Sequence, residues 1–283
     1  MERGGPAVKD LPLVAVIQFP GSNCEYETAR VVEVSGMECR IFRWNQLQPL
    51  RDASPDAFVL PGGFSFQDRV RAGAVAAKEN LMDLVVEGAS GGRPVLGICN
   101  GAQVLVESGL VPGWEPGRIE AALAANHVSG RSGYLSTWVF VRVRNGAGIG
   151  NPWLSALGGS PVPIPIAHAE GRFVFRKQDA GRTRPVEALA YCSHAGEESG
   201  VYPLNPNGSF HNLAAVMNPE GNVLAMMPHP ERAFHLWQLP PWIPGEWGDR
   251  RSAALSGGNL GTAPGPGSLF FRSLLEHFGG GAA

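Results

Sequence analysis

Strand-like and helix-like segments alternate along the first hundred residues of the chain. The strand-like segments are short and mostly apolar, and they span residues 13–19, 38–44, 57–60 and 94–98. Apolar residues recur at helical spacing between and after them, which predicts helices at about 25–35, 70–87 and 102–108. Short apolar strands that alternate with amphipathic helices are typical of a parallel sheet buried on both faces.

The pattern changes after residue 120. Residues 135–143 and 216–227 are predicted to be strands, and turn-rich segments join them, which favours antiparallel pairing in this half. Residues 240–267 are dense in Gly, Pro and Trp and are predicted to be irregular, before a last helix at 269–278.

These patterns together predict one α/β domain over residues 11–283. A mostly parallel central sheet is flanked by helices, and an antiparallel extension adds to it. Residues 1–10 are expected to form a loose leader. A C-terminal extension rich in Gly, Pro and Trp is expected to begin at about residue 235.

Composition and charge narrow the function classes. The 283 residues are 44% hydrophobic and 17% charged, as in ordinary globular proteins, and the net charge of -2 offers no basic field for nucleic acid. No apolar run approaches the roughly 20 residues that span a bilayer, and no secretory signal is evident. We therefore expect a cytoplasmic protein without a membrane or nucleic-acid partner. The four cysteines form no C-x-x-C pair, so no metal site is predicted.

The strongest local signal for chemistry surrounds Cys99. Gly97-Ile-Cys99-Asn100-Gly101 has the form G-x-C-x-G between an apolar strand and an amphipathic helix, which is a nucleophile elbow with Cys in place of Ser. The two glycines permit the sharp turn, and the helix N-terminus favours the thiolate. The backbone N–H of Asn100 is then a candidate oxyanion donor. The alternative, in which Cys99 is merely a small buried residue, is disfavoured by the flanking glycines.

A thiol nucleophile needs a base, and the sequence His229-Pro230-Glu231 offers one. The prolines beside His229 favour an extended conformation, in which Glu231 projects to the same side and can orient the imidazole. A lone His-Pro-Glu could equally be an ordinary turn. Paired with the elbow at Cys99, it favours a Cys–His–Glu triad.

A glycine-rich loop follows the strand at 57–60. Ligands of parallel sheets bind at the carboxyl ends of the strands, where this loop lies. The backbone N–H of Gly63 is therefore a candidate second oxyanion donor. The alternative is a simple turn that ends the strand.

These three elements, in this order, resemble the class I glutamine amidotransferases over about residues 13–232. Within that superfamily, several segments are similar to the glutaminase component of phosphoribosylformylglycinamidine synthase. They are residues 19–23, 60–65 with Asp68, 97–101, 168–172, 205–209 and 229–232.

The resemblance implies a division of roles at the site. Cys99 would attack the side-chain amide of L-glutamine, and His229, oriented by Glu231, would activate the water that hydrolyses the glutamyl thioester. Gly63 and Asn100 would supply the oxyanion N–H groups, and Gln103 would bind substrate. His168 is a further substrate-binding candidate.

The resemblance also implies a partner. The ammonia would pass to a synthase subunit that converts formylglycinamide ribonucleotide to its amidine, joined by a small third subunit. ATP and magnesium are expected on that synthase, and no cofactor is expected in this chain.

Two other functions remain open at this stage. One is a different class I amidotransferase, or a stand-alone γ-glutamyl thiol hydrolase that needs no partner. The other is a binding module that has lost catalysis, which the intact Cys99, His229 and Glu231 disfavour. Among the remaining residues, the other three cysteines are predicted to pack, and Trp237, Trp242 and Trp247 to form either a partner surface or buried packing.

Overall fold

A nine-stranded sheet runs through the computed structural model of the chain, which describes residues 11–128, 130–144, 146–175 and 186–279. The leader predicted at 1–10 lies outside these ranges. Thirteen strands are described: β1 (Leu13–Gln18), β2 (Glu38–Arg43), β3 (Ala57–Leu60), β4 (Val95–Ile98), β5 (Ala121–Ala124), β6 (His127–Val128), β7 (Arg131–Ser132), β8 (Leu135–Val143), β9 (Val162–His168), β10 (Arg172–Phe175), β11 (Val186–Cys192), β12 (Leu213–Met217) and β13 (Val223–Met226).

Six α-helices are described, and several 3-10 turns join them to the strands. The helices are α1 (Glu25–Val34), α2 (Leu47–Ala53), α3 (Leu81–Ser90), α4 (Asn100–Glu107), α5 (Glu246–Ser256) and α6 (Ser268–His277). In the part of the chain that the structure covers, no helix is long and apolar enough to cross a membrane.

The first half of the large sheet is parallel, in the order β2-β1-β3-β4-β13. Every residue of β3 and β4 is buried, as expected for strands covered on both faces. The predicted α/β fold with a mostly parallel central sheet is confirmed. Because β4 and β13 are parallel neighbours, the residues that follow Ile98 and Met226 emerge at the same edge of the sheet.

The second half is antiparallel and continues the sheet through β12, β11, β8 and β9, which confirms the predicted extension. The prediction of one strand over 216–227 is wrong. A turn separates β12 from β13, with Gly221 at a φ of 78° and the Asn218 side chain accepting the Val223 N–H at 2.9 Å. The Asn-Pro-Glu-Gly sequence of this turn was the signal that the apolar pattern masked.

The helix predicted over 70–87 is also only partly present. Residues 65–78 form turns, and α3 begins at Leu81. Val70 is 92% exposed, and Gly73 has a φ of 79°. A side chain at Gly73 would lie 2.6 Å from the Gln103 backbone. This close approach to α4 explains why the segment forms turns and not the helix that the spacing of its apolar residues predicts.

Two helices escaped prediction. The short α2 was not recognised, and α5 lies inside the segment predicted to be irregular. Flanking glycines at Gly245 and Gly257 concealed α5, which is largely polar and buries Trp247. Trp237 and Trp242 are 55% and 62% exposed, so the three tryptophans do not share one environment.

The C-terminal segment packs behind the residues that follow β13. The Gly267 N–H donates to the Ala233 carbonyl at 2.8 Å, and the rings of Phe234 and Phe271 lie 5.9 Å apart. A side chain at Gly267 would collide with the Pro230 carbonyl. The extension therefore supports the turn that carries His229.

Candidate active site

Cys99 stands at the sharp turn between β4 and α4. Its φ of 52° and ψ of -105° lie outside the regions that non-glycine residues ordinarily adopt, as at a strained nucleophile elbow. The Cys99 N–H donates to the Met226 carbonyl at 2.8 Å, and its own carbonyl accepts the Gln103 N–H at 3.2 Å. The side chain is nearly buried, at 6% exposure. The backbone therefore holds the sulfur at the N-terminus of α4.

The glycines around Cys99 are required by close packing. A side chain at Gly97 would lie 2.6 Å from both the Gly101 carbonyl oxygen and Leu105 Cδ1. A side chain at Gly101 would collide with the carbonyl of Leu60. The predicted elbow is therefore present, and the close approach of β3 to α4 explains its second glycine.

His229 follows β13 and is paired with Glu231. Its Nδ1 lies 2.6 Å from Glu231 Oε1, and the two side chains are 2% and 0% exposed. The predicted pair is present, but a 3-10 turn beginning at Pro230 produces it instead of an extended segment. The His229 N–H donates to the Pro165 carbonyl at 2.9 Å, which fixes the backbone of the histidine.

Cys99 and His229 face a common point above Gly62. A side chain at Gly62 would lie 2.7 Å from His229 Cε1 and 3.5 Å from Cys99 Cβ. The thiol and the imidazole are thus neighbours, although 130 positions separate them in the sequence. The structure brings the three predicted triad residues together at the carboxyl edge of the parallel strands.

The environment of His229 favours the imidazolium. Burial lowers its pKa, but the charges of Glu231 and Cys99 and the nearby thiols of Cys24 and Cys99 together raise the pKa well above its ordinary value. A carboxylate on one ring nitrogen and a thiol near the other suit a base that must hold a proton during the reaction.

The loop after β3 approaches the same point. The Gly62 carbonyl accepts the Asn23 and Cys24 N–H groups at 3.3 and 3.2 Å. Because a trans peptide directs its carbonyl and N–H to opposite sides, the Gly63 N–H points away from those donors. Gly63 has no room for a side chain, since one would lie 2.7 Å from Ser22 Cα. The Asn100 N–H belongs to the first turn of α4, where helix N–H groups lack intrahelical partners.

Side chains of α4 connect this loop to the segment after β9. Asn100 Oδ1 accepts the Ser65 N–H at 3.0 Å, and Asn100 Nδ2 donates to Gln103 Oε1 at 2.9 Å. Gln103 Nε2 in turn donates to the Glu170 carbonyl at 2.7 Å. The sequence predicted only a backbone role for Asn100 and contained no signal for this side-chain network. Gln103, predicted to bind substrate, here joins two walls of the site.

The last strand of the sheet curls back over Cys99. Cys99 Sγ lies 3.5 Å from the Ala167 carbonyl of β9. His168, at the end of β9, is 3% exposed, and its Nδ1 lies 3.1 Å from Asn126 Oδ1. Its Nε2 is buried without a hydrogen-bond partner. The substrate-binding role predicted for His168 stays a prediction, and its position beside the site permits it.

Burial and the nearby charge of His229 lower the pKa of His168 to about 3. The unfolded chain takes up a proton near pH 6.5, and the folded chain does so only near pH 3, so this group costs stability as the pH falls between those values. We expect His168→Asn to gain about 2 kcal/mol in unfolding free energy relative to the wild type between pH 7 and pH 5. Urea denaturation at both pH values measures it.

The exposed His194 provides the matched control, as His194→Asn. An unfolding free-energy difference between wild type and His168→Asn that is the same at pH 7 and pH 5 would contradict the expectation.

Cys24 was predicted to be a packing residue, and the structure places it at the site. It is fully buried, and its sulfur accepts a hydrogen bond from Arg232 Nη2 at 3.1 Å. A side chain at Gly62 would lie 3.1 Å from Cys24 Sγ. No local sequence signal marks this cysteine, because its neighbours at the site come from more than 200 positions away.

The chain is similar to known proteins over most of its length. Residues 11–256 match the family described as CobB/CobQ-like glutamine amidotransferase domain. A protein of Methanothrix thermoacetophila named phosphoribosylformylglycinamidine synthase subunit PurQ is 46% identical over 249 residues, which cover 82% of this chain and 92% of that protein. The chain is a glutamine amidotransferase of the PurQ family.

Other members of the family are similar over most of their length. A Pyrococcus furiosus protein of the same name is 40% identical over 223 residues, which cover 78% of this chain and 89% of that one. A structure of PurLQS from Thermotoga maritima matches at 30% identity with a TM-score of 0.68, covering 95% of this chain and 99% of that chain. A glutamine amidotransferase from Thermotoga maritima, at 13% identity and a TM-score of 0.51, shares the fold, covering 95% and 99%.

Proposed function

We propose that this chain is the glutaminase subunit of a phosphoribosylformylglycinamidine synthase and that Cys99, His229 and Glu231 form its catalytic triad. The observation that carries the triad is the hydrogen bond of 2.6 Å between His229 and Glu231, beside a strained Cys99 that faces the same point as the imidazole. The names of the relatives support the assignment to purine biosynthesis.

These three residues can carry out both steps of glutamine hydrolysis. The Cys99 sulfur attacks the side-chain amide carbon of L-glutamine, His229 protonates the departing nitrogen, and ammonia leaves. Water then attacks the glutamyl thioester and gives a proton to His229, and glutamate and the free thiol form. Glu231 holds the imidazole in position and stabilises its positive charge in both steps.

Two backbone N–H groups would stabilise the oxyanion in each step. We assign them to Gly63, in the loop after β3, and to Asn100, at the start of α4. A single donor of this kind contributes roughly 10²–10³ in turnover in well-studied hydrolases. The Asn100 side chain, bonded to the Ser65 N–H, would hold the Gly63 loop at the correct distance from α4. Gln103 and His168 would contribute to the glutamine site.

The ammonia would pass to the synthase subunit, which would use ATP and magnesium to form the amidine of formylglycinamide ribonucleotide. The similarity to PurLQS supports a complex with such a partner. We expect a small third subunit in the same complex.

The experiment is a glutaminase assay of the purified chain, alone and with its synthase partner and nucleotide. We expect low glutaminase turnover from the chain alone. We expect turnover to rise by at least about tenfold in the complex, because closure of the site by a partner completes the catalytic arrangement around bound glutamine. Full turnover of the isolated chain on glutamine or γ-glutamyl compounds would instead indicate a stand-alone hydrolase. Failure of a glutamine-analogue electrophile to label Cys99 in the complex would indicate a binding module.

A further inference from the structure

Cys24 is a second thiol at the catalytic centre, and the proposed triad does not use it. It lies at the start of α1, and its sulfur is buried against the turn that carries His229 and Glu231. Cys24 Sγ, a ring nitrogen of His229 and a carboxylate oxygen of Glu231 all lie within 4.8 Å of one another.

Cys99 faces the same space. The position that a Gly62 side chain would occupy lies 3.1 Å from Cys24 Sγ, 2.7 Å from His229 Cε1 and 3.5 Å from Cys99 Cβ. Because residue 62 is glycine, it places no side chain of its own in this space. The Cys24 sulfur, the Cys99 Cβ and the His229 ring therefore border a single small space, and both thiols are close to the imidazole.

The imidazole is oriented as in many metal sites. His229 Nε2 is buried and has no hydrogen-bond partner, while Nδ1 is held by Glu231 at 2.6 Å. Metal-bound histidines usually donate their other N–H to a carboxylate in this way, which fixes the tautomer that binds the ion. Thiolate and imidazole are also the donor types that zinc prefers.

We propose that Cys24 Sγ, Cys99 Sγ and His229 Nε2 bind a thiophilic divalent cation such as Zn²⁺, and that this binding inhibits the glutaminase. Glu231 does not bind the ion but accepts the hydrogen bond of His229 Nδ1–H, and a water molecule is the fourth ligand of a tetrahedral site. The ion occupies both the nucleophile and the base, so glutamine cannot react while it is bound.

Protons and charges balance in this site. Binding releases one proton from the Cys24 thiol and the one that Cys99 and His229 share. Two thiolates then neutralise the ion, and the Glu231 carboxylate stays 3.9 Å from the Arg232 guanidinium. The Arg232 N–H on Cys24 Sγ stabilises that thiolate once it forms.

The test uses metal-free full-length protein titrated with Co²⁺ and then with Zn²⁺ as competitor. We expect sulfur-to-cobalt charge-transfer absorption together with the visible bands of tetrahedral cobalt. Cys24→Ser removes one soft ligand, so we expect a weaker charge-transfer band and zinc binding weakened by at least about tenfold. Cys39→Ser is the matched control, because Cys39 lies on β2, at the far edge of the sheet from the antiparallel strands, and should leave the titration unchanged.

The wild-type spectrum decides the proposal even if a variant folds poorly. Cobalt bound without a sulfur charge-transfer band would overturn it, and so would Cys24→Ser protein that binds zinc as tightly as the wild type. Neither readout requires glutaminase turnover, so a failure here differs from a failure of the proposed function. In the assay, inhibition by zinc should weaken in Cys24→Ser relative to that variant's own uninhibited rate.

Discussion

Replacement of Cys99 by alanine is expected to abolish glutamine-dependent amidine formation and to leave ammonia-dependent formation intact. Without the sulfur no thioester forms, and loss of a triad nucleophile lowers turnover by roughly 10⁶-fold in a well-studied hydrolase. Ammonia supplied from solution bypasses the glutaminase and still reaches the synthase. The measurement compares both reactions in the reconstituted complex, with Cys99→Ala and wild-type chains.

The matched control is Cys39→Ala, which removes a thiol remote from the site and should retain both reactions. Normal glutaminase turnover by the Cys99→Ala chain would show that another nucleophile acts. Loss of both reactions together, in a chain that still binds its partner, would show that Cys99 serves the synthase and not only the glutaminase.

Glu231→Gln is expected to lower glutaminase turnover by roughly 10⁴-fold, as when the carboxylate of a triad becomes an amide elsewhere. The amide keeps the size of the side chain, but it cannot balance the positive charge of His229. The Glu231 charge raises the pKa of His229 in the wild type, so its removal lowers that pKa. The limb of the pH–rate profile that reports loss of the imidazolium proton should therefore move to lower pH.

Turnover measured from about pH 5 to pH 10 in the complex gives both quantities. Glu27→Gln is the control, because Glu27 also pairs with Arg232, at 2.9 Å, but lies at the protein surface. A Glu231→Gln enzyme with the wild-type pH–rate profile would rule out a charge effect on His229, whatever its turnover.

Several parts of the tertiary structure support the position of His229 beside Glu231. The Pro165 carbonyl of β9 accepts the His229 N–H, and α6 packs behind the turn that follows. Neither contact could be predicted from the His-Pro-Glu sequence. The proposed triad thus depends on the antiparallel half of the sheet and on the C-terminal extension as well as on the parallel strands.

The sequence by itself determined the elbow at Cys99 and the parallel half of the sheet. Both are encoded locally: an apolar run predicts a buried strand, and the glycines at 97 and 101 indicate a close approach wherever the chain lies. Local patterns failed where apolar residues keep a regular spacing through a turn. This spacing concealed the turn inside 216–227 and the turns of residues 65–78, and flanking glycines concealed α5.

Only the tertiary structure decided what surrounds Cys99. His229 adjoins Cys99 because β13 inserts beside β4, and β9 reaches the same site because the antiparallel strands curl back. Strand order and sheet curvature arise from packing over the whole domain, so no short segment encodes them. The second thiol, Cys24, joins the imidazole through the same long-range packing.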